Sequence, residues 1–214
     1  MEHEHIEHVE NINTILKNLD YDTTTGCIHK TPARFLTYIN SFKKKKDKDF
    51  IQFCKQNNIK STPMNNRSIK VKVTVDNISV HTLCKHHMLP FYGKVSISYV
   101  TDGYTLGLSK FKRIIDFTAS ELTTQEELTQ KIVKNIVNVL AVKELHVTLE
   151  CVHSCMVIRG VKDLHTKTIT DIHLESPCDL KRARQRRANG ISRPEQKQSD
   201  HFYRKVNEEI NNLS

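Results

Sequence analysis

No apolar run of about eighteen residues occurs in the 214-residue chain, which excludes a hydrophobic helix crossing a membrane. The first residues, Met1-Glu2-His3-Glu4-His5, lack the apolar segment of a secretory signal, so export is not expected and a cytoplasmic setting is. No segment repeats at a solenoid period. Cysteine is present but sparse: six residues, without a secretion signal, do not suggest a disulfide scaffold. Metal binding or simple burial suits those thiols better. Aromatic residues are missing from the basic cluster Lys181, Arg182, Arg184, Arg186 and Arg187, so a stacking platform for single-stranded nucleic acid is unsupported.

Apolar residues make up 37% of the chain and charged residues 27%, enough to build one buried core. Lysines and arginines number 33 against 24 acids, a net charge of +9. That excess favours phosphate-bearing partners: a nucleotide, a nucleic acid or an anionic surface.

Ile6, Val9, Ile12, Ile15, Leu16 and Leu19 recur every three to four residues and predict an amphipathic helix. A second helix is expected from Thr31-Pro32, with Pro32 in the first turn, through Leu36, Ile39 and Phe42. The run Lys43 to Lys46 reads as its solvated end, with a phosphate contact as the alternative. Residues 55–68 read as a loop. From Ile69 the period becomes two, through Val71, Val73 and Val75, and again at Val95, Ile97 and Tyr99. Asp102-Gly103 suggests a hairpin turn. Helices are expected from near Ser109 and near Thr123, the latter with Leu128, Ile132, Ile136 and Leu140 on one stripe. Alternation returns at Leu145, Val147 and Leu149, and last at Thr166 to Asp171.

This order predicts an α+β fold: an antiparallel four-stranded sheet with helices on one face. Its two edges would need covering, and self-association is one way. Three regions are expected: a helical region over 1–60, a catalytic domain over 61–176, and a basic polar extension over 177–214. The extension reads as a tail, a nucleic-acid or anion contact, or a segment docked on a neighbouring subunit, with room for a short helix from Asp200 to Ile210.

The densest chemistry is Cys84-Lys85-His86-His87, joined much later by His153-Ser154-Cys155. Thiolate and neutral imidazole are good zinc ligands. Cys84 and His87 stand three apart, so one turn can aim both at a metal. Five candidates exist: Cys84, His86, His87, His153 and Cys155. Four protein ligands would make a closed structural site, and three leave room for an activated water. With two thiolates and one imidazole bound, two histidines remain for proton transfer. Buried free cysteines beside surface histidines are the plain alternative.

Ser109 is a candidate helix N-cap. Lys110 and Arg113 follow in the first turn, where free N–H groups and the helix dipole also attract anions. With Arg159 they could hold a polyphosphate. Thr123 to Glu126 fits a capping box. Glu126 could instead accept two hydrogen bonds from guanine N1–H and its exocyclic amine.

These residues together resemble the GTP cyclohydrolase I family. The segment Cys84-Lys85-His86-His87-Met88-Leu89-Pro90-Phe91-Tyr92-Gly93-Lys94-Val95 is similar to that family's zinc segment. Gly107-Leu108-Ser109-Lys110 with Arg113-Ile114, then Gln125-Glu126 with Leu128-Thr129, follow in the family's order. His153-Ser154-Cys155-Met156 with Arg159-Gly160-Val161 completes it, and Thr31-Pro32-Ala33-Arg34 resembles the early T-P-x-R motif. The resemblance covers about residues 6–175. It departs at Lys85, where the family usually carries Glu, and at Glu121-Leu122-Thr123-Thr124, which keeps little of the family's R-L-Q-V run.

The resemblance implies a tunnelling fold (T-fold) assembled into a toroidal homodecamer, a dimer of pentamers with active sites between subunits. It implies hydrolytic opening of the guanine imidazole ring of GTP at C8, giving formate and 7,8-dihydroneopterin triphosphate, the first step of pterin and folate-type biosynthesis. By matching positions, Cys84, His87 and Cys155 would bind Zn2+. His86 and His153 would be the catalytic proton-transfer groups. Ser109, Lys110, Arg113 and Arg159 would bind the triphosphate, and Glu126 with Gln125 the guanine. GTP is then the partner; membrane and nucleic acid are not.

Two other readings compete. A pterin synthase of the same fold uses a three-histidine zinc site, which the cysteine pairing opposes, and a nitrile reductase needs no essential zinc. A closed structural zinc site with a nucleic-acid-binding tail would need a fourth protein ligand.

Overall fold

The computed structural model describes residues 2–175, with side chains from residue 6. The basic cluster, the helix expected over 200–210 and the whole 177–214 extension lie outside the described residues. Two compact units divide between Lys44 and Lys45.

In the first unit, helix α1 (Glu2–Lys17) packs against α2 (Thr31–Asn40), which follows a 3-10 turn at Cys27–Lys30. Pro32 sits in the first turn of α2, where its missing N–H has no helical partner to lose. Helix α2 ends at Asn40, so the lysine run is not its last turn.

The second unit opens with α3 (Asp47–Gln56), a helix not anticipated from the sequence. It spans only ten residues, with apolar Phe50, Ile51, Phe53 and Cys54, of which Ile51 is exposed. Asp47 and Asp49 stabilise its positive end, and the Asp49 side chain accepts from the Lys46 N–H at 2.7 Å. Lys45 is a structural residue. Its ammonium donates to the Phe117 and Ser120 carbonyls, each at 2.8 Å, where the next helix ends.

The strands are β1 (Thr62–Pro63), β2 (Lys72–Cys84), β3 (Pro90–Thr101), β4 (Tyr104–Thr105), β5 (Leu122–Thr123), β6 (Val142–His153) and β7 (Thr168–Glu175). Helix α4 (Leu108–Ala119) precedes β5, α5 (Gln125–Val139) follows it, and α6 (Ser154–Val157) follows β6. The main sheet runs β5-β2-β3-β6-β7. Its four long strands are antiparallel neighbours, as expected. The fifth, two-residue strand is an addition: Leu122 and Thr123 run parallel to Leu83 and Cys84.

Asp102-Gly103 does not join two strands of this sheet. It leads into β4, which pairs with β1 in a separate ribbon. The sheet's first hairpin turns at residues 85–89 instead, so the Cys-Lys-His-His segment is itself the turn. In β2 the period-two pattern is interrupted between Val75 and Ile78, where the pairing register shifts and Asn77 takes a left-handed backbone (φ 58°).

Helices α4 and α5 pack on each other and on one face of the sheet. Phe91, Val95, Ile97 and Tyr99 of β3 and Leu145, Val147 and Leu149 of β6 meet Phe111, Ile114 and Ile115 of α4 and Leu128, Ile132 and Ile136 of α5 in one core. Among the described residues no helix is long and apolar enough to cross a membrane.

Gly93 is fixed by close approach. A Cβ there would lie 1.9 Å from the Glu150 carbonyl oxygen and 2.8 Å from the Cys151 Cα. Backbone atoms on both sides cannot rotate away. Gly93→Ala is expected to cost about 3 kcal/mol or more, read as a lower urea midpoint. An unchanged midpoint would show that β3 and β6 are not packed this closely.

A candidate metal centre at a strand hairpin

Three sequence-distant segments converge on Cys84. It ends β2, its N–H donates to the Leu89 carbonyl at 2.9 Å, and its carbonyl accepts from Met88 N–H at 2.8 Å. Met88 takes a left-handed backbone (φ 53°), which closes the turn and carries His86 and His87. The Lys85 N–H donates to the Thr123 carbonyl at 3.1 Å, extending the β2–β5 pairing and seating the start of α5 beside the turn. On the other side β3 pairs Phe91 with His153, so the end of β6 reaches the same place. The chain then turns into α6, which bears Cys155.

Cys84 Sγ, a His87 ring nitrogen and Cys155 Sγ lie within 4.8 Å of one another. Zinc–sulfur bonds of about 2.3 Å and zinc–nitrogen bonds of about 2.0 Å set tetrahedral ligand atoms roughly 3.5–3.8 Å apart. The three donors fit such an ion with shifts of about an ångström or less. Burial, then the adjacent Cys84 thiol, push the Cys155 thiol up from its ordinary value. A cation between the two sulfurs reverses that preference. Cys151, two residues before His153, is a contrast. It is buried in the core, and burial followed by the Glu150 carboxylate pushes it up to about 12, so it is an inert thiol.

His86 lies beside this group, its Nδ1 3.8 Å from Cys84 Sγ. His153 is half-buried and stacks on Phe91, ring centroids 4.5 Å apart and planes 8° from parallel. Burial holds its pKa below the usual histidine value, while the nearby Glu126 carboxylate opposes that shift. Gln125, only 1% exposed, bonds to His153 Nε2 at 2.8 Å.

The cap of α5 is displaced by one residue from its expected position. Thr124 is the N-cap and Glu127 closes the box, because Thr123 is engaged in β5. The shift leaves Glu126 exposed and outside the cap. Glu127 also pairs with Lys85, which lowers its pKa and gives that unusual lysine an anionic partner.

Gly107, not Ser109, is the N-cap of α4, since the chain leaves extended geometry two residues earlier than expected. Ser109 is exposed within the first turn. Lys110 and Arg113 both reach Asn57 at the end of α3. Lys110 Nζ donates to its carbonyl at 3.0 Å, and Arg113 donates to its side-chain oxygen at 3.4 Å. Asn57 had no signal of its own in the sequence. Arg159 is exposed after α6, and its charge is felt at Cys155. No described hydrogen bond or ion pair joins the Lys110–Arg113 pair to Arg159 or to the cysteine group.

Fold and site together define an α+β protein with one main sheet and a candidate Cys–His–Cys metal centre. The chain belongs to the GTP cyclohydrolase I family, whose model matches residues 8–191. The GTP cyclohydrolase 1 of Chlorobium phaeovibrioides is 34% identical over 164 residues, 75% of this chain and 70% of that protein. That of Wigglesworthia glossinidia brevipalpis is 36% identical over 159 residues, covering 74% and 71% respectively. The Chlorobaculum tepidum protein reaches 44% over a shorter 98 residues, 46% of this chain and 44% of that one. Among solved structures, the archaeosine synthase QueF-Like in its apo form aligns with a TM-score of 0.37 and 15% identity. It covers 49% of this chain and 91% of that one, a likeness too loose to assign a fold.

Proposed function

We propose that the chain is a zinc-dependent GTP cyclohydrolase I, opening the guanine imidazole ring of GTP and releasing formate and 7,8-dihydroneopterin triphosphate. The observation that carries this reading is the Cys84, His87 and Cys155 group with His86 and His153 beside it, in a chain of this family. The donor set, two thiols and an imidazole, suits zinc. Zinc held there supplies a nucleophile from water near neutral pH.

The remaining work belongs to the chain's own groups. Glu126 accepts hydrogen bonds from guanine N1–H and its exocyclic amine, a pattern adenine does not offer. Ser109, Lys110, Arg113 and Arg159 bind the triphosphate. That end of the substrate is not cleaved; it supplies binding and orientation remote from the bond changes. Asn57 accepts a hydrogen bond from each of Lys110 and Arg113 and so ties the two cations to one residue. His153, carrying a proton toward N7, makes C8 more electrophilic, and His86 serves as the second proton carrier. Water adds at C8 and the C8–N9 bond breaks, leaving a formamide on N7; a second water cleaves the C8–N7 bond and formate leaves. The ribose opens, rearranges in the Amadori manner and closes onto N7 with loss of water. The product suits the first step of pterin and folate-type biosynthesis.

By family, the T-fold and a toroidal homodecamer, with active sites between subunits in a cytoplasmic enzyme, belong to the same proposal.

Incubating the purified protein with GTP, oxidising, and reading pterin fluorescence tests the reaction. Fluorescence and formate are expected, lost with a chelator and restored by added zinc. A zinc-loaded protein that yields neither overturns the proposal.

A further inference from the structure

Gln125 lies at the start of α5, next to the residue proposed to grip guanine, yet its side chain is sealed inside the protein. Its nitrogen sits 2.9 Å from the Leu149 carbonyl oxygen, 2.9 Å from the Thr168 carbonyl oxygen and 3.2 Å from Thr170 Oγ1. Thr170 in turn meets Thr129 at 2.7 Å, and Thr129 donates to the Gln125 carbonyl at 2.8 Å. The side chain therefore ties the first turn of α5 to β6 and β7.

That clamp settles which way round the carboxamide lies. Backbone carbonyls only accept, so the group facing Leu149 and Thr168 must be the NH2. The oxygen is then the atom 2.8 Å from His153 Nε2. An amide oxygen only accepts, so His153 must carry its hydrogen on Nε2. Stacking on Phe91 holds the ring plane at the same time. Nδ1 makes no hydrogen bond to any described residue.

We propose that Gln125 is a positioning residue: its oxygen, aimed by the two carbonyls that hold its nitrogen, fixes His153 in the Nε2–H form and leaves Nδ1 as the ring nitrogen available to a ligand. The proposal rests on the cyclohydrolase reading for its catalytic consequence but not for its geometry. It gives Gln125 a role different from direct contact with guanine, because every polar atom of its side chain is already engaged.

The first test uses the wild-type, zinc-loaded full chain labelled with nitrogen-15. Long-range proton–nitrogen correlation in mildly alkaline buffer is expected to show His153 with a protonated Nε2 and an unprotonated Nδ1, assigned by comparison with His153→Ala. A ring protonated on Nδ1, or a mixture, overturns the proposal, and no variant has to fold for that answer. The second test is a double-mutant cycle. Gln125→Met is expected to lower kcat about 10–100-fold, the cost of losing an orienting partner, with KM for GTP little changed. In the His153→Ala background the same substitution is expected to cost almost nothing further. A raised KM with kcat preserved, or an equal loss in both backgrounds, overturns it in favour of direct base contact or general damage. If the wild type makes no pterin, the cyclohydrolase reading fails, while the spectrum still decides the tautomer.

Discussion

Cys155→Ala is expected to abolish tight zinc binding and lower turnover by more than the 10- to 100-fold that loss of an outer-shell partner costs, about. The reason is coordination number. Cys84 and His87 share one hairpin turn and could hold an ion only from one side, whereas Cys155 closes the site from the end of another strand. Two remaining ligands would leave the metal mostly water-bound and readily lost. The fold should survive, because Cys155 stands outside the core that holds the sheet and helices. Metal analysis after dialysis, with circular dichroism as the control, checks this. A folded Cys155→Ala protein that keeps one zinc per chain and full turnover would falsify the metal assignment.

His153→Ala should behave oppositely on the two readouts. Zinc content is expected to stay at the wild-type level, since the residue is proposed to face substrate rather than metal. The turnover number is expected to fall roughly 10²–10⁴-fold, the usual worth of a positioned acid or base. Removing the ring also uncovers one face of Phe91, a modest packing loss that a thermal melt will register. Loss of zinc in this variant would make His153 a ligand. Retention of kcat would remove it from the chemistry.

Much of the site was legible because its residue types are chemically narrow. Cys84, His87 and Cys155 were nominated as ligands from their chemistry and from family-like motifs, and the three donor atoms do lie together. The α+β class and the four antiparallel long strands also followed from the change of period between helices and strands. Other features were hidden. Helix α3 spans only ten residues and leaves Ile51 exposed, so its pattern is brief, and Asn57 at its end carries no signal of its own. Thr123 and Thr124 are equally good caps by residue type, so the sequence does not distinguish the two registers of the α5 cap. Only the pairing of Thr123 with Cys84 in β5 takes the first out of contention and frees Glu126. Turn chemistry is strong at Asp102-Gly103, whereas the hairpin turn of the main sheet has no glycine and uses a left-handed Met88.

The amino-acid sequence by itself determined which side chains can do chemistry and which segments alternate at helix or strand period, since both are properties of short stretches of chain. Tertiary structure alone decided that a hairpin, a strand end and a helix start meet at Cys84, because that meeting depends on long-range strand pairing. It also decided that Gln125 turns inward to hold His153, because a buried amide must satisfy its donors and acceptors with whatever carbonyls the sheet brings to it.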